Sequence, residues 1–142
     1  DQKLTYLLKE YFNFDIEAEQ NDLVKEAAVI LPFVSRWRGN LGLVGNILGA
    51  LMHCEVETIK GRYSPIDTTR LWLPQVTYKL LIPGLTPATY QELAKSLEPL
   101  AAFLKEWLIP FDVRCVIEIK QHMVPQKPDG GMTLNYNTEL NQ

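Results

Sequence analysis

The stretch Val76–Leu108, VTYKLLIPGLTPATYQELAKSLEPLAAFLKEWL, switches hydrophobic period at its middle, and that switch decides the fold class. Up to Ile82 the apolar residues alternate, so that Val76, Tyr78, Leu80 and Ile82 fall on one face of an extended chain. After Pro83 and Gly84, Thr86 offers the hydroxyl an N-cap needs, and Pro87 takes the first helical position, where its missing N–H costs nothing. Tyr90, Leu93, Leu97, Leu100, Leu104 and Leu108 then step by three or four, while Gln91, Glu92, Lys95, Glu98, Lys105 and Glu106 fill the other side. The spacing predicts a long amphipathic helix lying on a sheet, bent at Pro99 and stopped by Pro110.

Working outward, Val113, Cys115, Ile117 and Ile119 alternate with Arg114, Glu118 and Lys120, which predicts a third strand with one buried face. Pro125 to Gly131 is turn chemistry, and Met132, Leu134 and Tyr136 alternate again, so a last strand is expected to form a hairpin with the third. On the other side, the β-branched alternation from Cys54 to Lys60 predicts the first strand. Between it and Val76 the segment Gly61 to Pro74 reads as a long loop carrying large apolar groups, Leu71-Trp72-Leu73, beside Pro65 and Arg70.

Helical spacing governs the beginning of the chain. Leu4, Leu7, Leu8, Tyr11 and Phe12 mark a short opening helix. A second is capped by Asp15 or Asn21, carries Leu23, Ala27, Ile30 and Leu31, and ends or bends near Leu31 because Pro32 lacks an N–H. Asn40 caps a third, apolar nearly all round through Leu41, Val44, Ile47, Leu48, Leu51 and Met52. Gly42, Gly45 and Gly49 on this helix each cost about 1 kcal/mol relative to Ala and call for close backbone packing. The expected order is α-α-α-β-β-α-β-β: one α+β domain over 1–142, helical over 1–52, then a small antiparallel or mixed sheet packed on the long helix over 53–142.

The composition, 46% hydrophobic and 22% charged over 142 residues, is that of a folding globular chain. A formal net charge of -3 sets the overall field against phosphates, which argues against nucleic acid as a partner. The longest apolar runs fall far short of the roughly 20 residues a membrane-spanning helix needs. Cys54 and Cys115 lie in strand-like runs and read as reduced, buried thiols, which favours the cytoplasm; a start at Asp1 leaves a processed or excised leader open.

Catalysis needs polar groups that converge, and the stock of His53, His122, Cys54 and Cys115 is small. His53 and Cys54 are adjacent at a helix-to-strand junction, so their side chains diverge, and His122, just past a strand, reads as a surface residue. Gly39 to Gly45 has the look of a phosphate cradle, but no strand precedes it, so helix packing is the favoured reading. Glu55 and Glu57 share a strand face without a third ligand and read as solvated. The expectation is therefore no enzyme, no cofactor and no metal.

Interaction surfaces are better supplied. Arg36-Trp37-Arg38 combines the residue types of interface hot spots; in the alternative reading Trp37 is core and the arginines cap a helix end. Trp72, in a polar loop with little core to reach, favours a partner. Trp107 belongs to the core or its edge.

Taken in order, Arg38 through Leu51 to Val56-Glu57, Pro83-Gly84-Leu85-Thr86, the leucine-striped helix, Phe111-Asp112-Val113 and Leu134-Asn135-Tyr136-Asn137-Thr138-Glu139-Leu140 resemble the C-terminal half of the TssG family of type VI secretion baseplate wedge subunits. The closing stretch matches the family's Leu-Gly-aromatic-x-Thr-Trp-Leu pattern at Leu134, Tyr136, Thr138 and Leu140 and departs from it at Asn135 and Glu139. The resemblance implies a cytoplasmic structural subunit without a cofactor, whose partners are TssF-like, TssK-like and TssE-like proteins and the spike hub. Because the family's N-terminal half has no counterpart in the sequence, the expectation is a fragment, a shortened relative or a likeness of fold alone. Two rival readings stand beside it: a small ligand-binding or enzymatic domain with a site at His53 to Glu57, and an adaptor unrelated to secretion.

Overall fold

A computed structural model of the protein describes residues 1–65, 71–123 and 139–141. The chain forms α1 (Gln2–Phe12), α2 (Asp22–Ala28), a 3-10 turn (Leu31–Phe33), α3 (Val34–Trp37), α4 (Leu41–Met52), β1 (Glu55–Tyr63), β2 (Leu73–Ile82), α5 (Pro87–Trp107), β3 (Arg114–Gln121) and β4 (Glu139–Asn141). It is an α+β fold, and its sheet is mixed. The strands lie in the order β1-β2-β3-β4, with β1 antiparallel to β2, β2 parallel to β3, and β3 antiparallel to β4. Strands β2 and β3 are parallel because α5 carries the chain back along the sheet between them, as a crossover helix must.

The alternation predicted for the strands sets the inner face. Val76, Tyr78 and Leu80 of β2 and Cys115, Ile117 and Ile119 of β3 are buried under the helices. Leu97, Leu100 and Leu104 of α5, Val44 and Leu48 of α4, Val24, Ala27 and Ala28 of α2, and Leu8 of α1 complete the core. Each fully buried leucine contributes about 1.5–3 kcal/mol relative to exposure. Edge-to-face ring pairs anchor the opening helix and the turn after it: Phe12 meets Trp107 at 5.9 Å and Phe14 meets Phe103 at 5.7 Å.

The caps follow the residue chemistry. Asn21 and Asn40 accept from the N–H groups of Val24 and Leu43. Thr86 accepts from the N–H of Thr89, whose hydroxyl in turn accepts from the N–H of Thr86, closing a capping box.

Several expectations are revised. The second helix ends at Ala28, and the chain reaches Trp37 through the 3-10 turn around Pro32 and the short α3, because Pro32 sits where its missing N–H is harmless. Gly61 to Tyr63 and Leu73 to Pro74, read as loop, are paired strand: Gly61 faces Gln75, Arg62 faces Pro74 and Tyr63 faces Leu73. Cross-strand pairing overrides the Gly and Pro punctuation here. Helix α5 is one continuous element with Pro99 inside it, as a bend rather than a break at that residue allows. The strand antiparallel to β3 lies at Glu139–Asn141; the Met132 to Tyr136 segment expected to form it falls outside the described residues.

Of the glycines on α4, two carry the packing reason their cost demands. A Cβ on Gly45 would collide with Thr58 Oγ1 and lie 3.3 Å from Tyr78 Cε1, and one on Gly49 would sit 3.1 Å from the Cys54 carbonyl. Their bare backbone lets α4 lie directly on β1 and β2. At Gly42 a Cβ would meet only Asn40 Oδ1, at 3.9 Å.

Candidate functional site

Strand β1 ends with Tyr63, β2 begins with Leu73 and β3 begins with Arg114, so all three open at the same end of the sheet. An open groove of about 590 Å³ lies there, lined by Tyr63 and Leu73, by Phe111, Asp112, Val113 and Arg114 before and at the start of β3, and by Lys105 of α5. Exposed apolar side chains line it or lead into it. Leu71 is 56% exposed, Trp72 59% and Phe111 98%. Large apolar side chains exposed together at one end of a sheet are the kind of surface a partner covers.

Local chemistry explains how Phe111 reaches that position. Pro110 stops the helical course of the chain, and the Val113 N–H donates to the Pro110 carbonyl at 3.0 Å, closing a tight turn with Phe111 at its first corner. The Arg114 guanidinium lies 4.8 Å from the centre of the Tyr63 ring and holds it as one wall of the groove. Sequence reasoning did not single out Phe111 as a site residue; its signal was the aromatic between Pro110 and Asp112, where turn chemistry leaves a side chain no core to enter.

Cys115 also lines the groove, and burial pushes its thiol up to about 11 against the opposing pull of the Lys105 charge. It is therefore a protonated, packed group at neutral pH and a poor nucleophile.

The other sequence candidates scatter. Arg36 is exposed. Trp37 is half-buried and stacks on Phe33 with ring centres 5.3 Å apart. Arg38 takes the capping role: its Nη1 donates to the carbonyls of Glu106 and Trp107, both at 3.0 Å, and the neighbouring Gly39 N–H donates to the Leu108 carbonyl at 2.9 Å. Arg70, Leu134, Tyr136 and Thr138 lie outside the described residues; Leu140 lies in β4 opposite Ile119.

The rival reading centres on His53. That residue closes α4 in the left-handed region, at φ 52, and stays exposed. Cys54 is partly buried, which pushes its thiol up, while a backbone hydrogen bond with Leu81 pulls it down. Glu55 is instead 3.5 Å from His122 Nε2, across the sheet, and His122 is half-buried instead of fully at the surface. Among the described residues no group of three or more His, Cys, Asp or Glu side chains is placed to hold a metal ion. No described helix is long and apolar enough to cross a membrane.

No family model, curated protein or solved structure matches the chain.

Proposed function

We propose that this protein is a structural subunit that captures other proteins through the apolar end of its sheet. The observation that carries this reading is the exposed set of Phe111, which lines the groove, and Leu71 and Trp72, which lead directly into the groove residue Leu73. Tryptophan and phenylalanine combine large buried area on binding with few rotors to freeze, which suits them to anchor a partner. Arg114 and Lys105 outweigh Asp112 in the groove lining, which favours a partner that presents carboxylates with its apolar residues.

The resemblance to TssG supplies the context: a cytoplasmic wedge component of a type VI secretion baseplate, with TssF-like and TssK-like neighbours as the first partners to test, then TssE-like proteins and the spike hub. A baseplate role asks for rigid packing and adhesive ends, which a helix-covered mixed sheet with exposed aromatic side chains at one end provides. A net charge of -3 gives nucleic acid no general attraction.

The test is co-purification of the tagged protein with its TssF-like and TssK-like neighbours. Trp72→Ala combined with Phe111→Ala is expected to leave the thermal midpoint within about 2 °C and to weaken capture about tenfold or more, the loss typical of truncated hot spots. Capture that survives both changes sinks the reading.

A further inference from the structure

We infer that the free edge of β1 pairs with β1 of a second copy, antiparallel about a two-fold axis through Ile59, joining two sheets into one. Among the described residues β1 has a strand neighbour on one side only, β2, so one row of its backbone N–H and C=O groups lies open along Glu55–Tyr63. Self-pairing satisfies that row, and the sequence of the strand selects how.

A two-fold axis perpendicular to the sheet keeps like faces together, so it must pass through a residue. Centred on Ile59, it pairs all nine residues of the strand: Glu55 with the second copy's Tyr63, Val56 with Arg62, Glu57 with Gly61, and Thr58 with Lys60. Moving the axis two residues back, to Glu57, sets that carboxylate against its own copy, and moving it to Lys60 does the same with two ammonium groups. Centring on Thr58 avoids the clash but forfeits a pair at each end.

The chosen register also has favourable chemistry on the open face of the sheet. Ile59, 43% exposed, meets its own copy on the axis. Glu57 faces Gly61, where nothing stands within 4 Å of a Cβ position and a carboxylate has room. Glu55 faces Tyr63 and so meets no like charge, and its carboxylate keeps its 3.5 Å contact with His122 Nε2 within its own copy. The only like-charge approach within the strand pair is the diagonal between the two Lys60 side chains, at about 7–8 Å.

The experiment is sedimentation of the full chain over a wide concentration range, with Ile59→Lys and Ile59→Cys variants. The wild type is expected to pass from monomer to dimer mass, Ile59→Lys to raise the dimer dissociation constant about tenfold or more, and Ile59→Cys to link two copies through position 59 on mild oxidation. Because Ile59 is exposed, circular dichroism of the variants should match the wild type. A wild type that stays monomeric throughout, a dimer indifferent to Ile59→Lys, or a link through Cys54 or Cys115 with none at 59 overturns the inference. Partner capture by Trp72 and Phe111 is a separate readout, so either proposal can fail alone.

Discussion

The hydroxyl of Tyr78, whose ring is fully buried in the middle of β2, donates a 2.8 Å hydrogen bond to the main-chain carbonyl of Leu41 in the first turn of α4. Sheet and helix are thereby tied at the point where Gly45 admits the ring. Burial raises the phenol's pKa above its ordinary 10.0, so the hydroxyl keeps its proton and its donor role through neutral and mildly alkaline pH. Tyr78→Phe keeps the ring and removes only this bond. It should lower the unfolding free energy by about 1 kcal/mol, measured by urea denaturation, whereas Tyr78→Ala should cost about 3–5 kcal/mol by leaving a cavity.

Gly45 and Gly42 make opposite predictions from the same residue type. At Gly45 the new methyl group meets Thr58 and the Tyr78 ring, and the strain should outweigh the helix-propensity gain, so that Gly45→Ala destabilises by about 1–2 kcal/mol. Adding Thr58→Ala removes the nearer obstacle and should recover part of that loss. Gly42→Ala meets only an ordinary contact with Asn40 and should stabilise by up to about 1 kcal/mol. Denaturation midpoints of the three variants decide it, and a stabilising Gly45→Ala would refute the close packing of α4 on β1.

These two cases show what the sequence could and could not say. The glycine spacing announced a close approach on α4 but not which glycine made it, because that depends on where Thr58 and Tyr78 arrive from a sheet formed later in the chain. Faces of strands and the α5 stripe were legible because period alone decides them. Strand ends were not: Gly61 and Pro74 carry loop signals, and only the pairing of Arg62 with Pro74 and Tyr63 with Leu73 makes strands of them. Of the candidate site, Trp72 and Leu71 were legible as large apolar groups in a polar neighbourhood. Phe111 was not, since its exposure is set by the turn that Val113 closes on Pro110 and by the parallel return of β3 beside β2. The contact of Glu55 with His122 was hidden for the same reason: it joins β1 to the end of β3 across the sheet.

The Cys115 thiol links stability to alkaline pH. Burial moves it from 9.0 to about 11, and a group whose folded pKa is raised contributes its stability below the unfolded value and loses it as pH climbs. Unfolding free energy should hold below pH 9 and fall by about 2–3 kcal/mol towards pH 11, with Cys54, raised in the same direction, and above pH 10 Tyr78 adding to the fall. Cys115→Ala starts from a lower stability because it leaves a small cavity, but its curve should be visibly flatter between pH 9 and 10. Equal slopes for variant and wild type would show that the thiol does not titrate in the folded state as its burial requires.

Arg38 holds the end of the long helix to the segment that precedes α4. Its Nη1 reaches the carbonyls of Glu106 and Trp107, groups that the last turn of α5 cannot satisfy internally, and it does so beside the Gly39 N–H on Leu108. The guanidinium charge also lies at the negative end of the helix dipole, so hydrogen bonding and electrostatics act together. Arg38→Ala should cost about 1–2 kcal/mol in chemical denaturation. Arg38→Lys, with a charge but without the planar fork, should restore only part of it. Since the groove begins just past α5, at Phe111, loosening this helix end should also speed hydrogen exchange at Val113 and Arg114, and a partner-binding role for Arg38 alone would leave those amides unchanged.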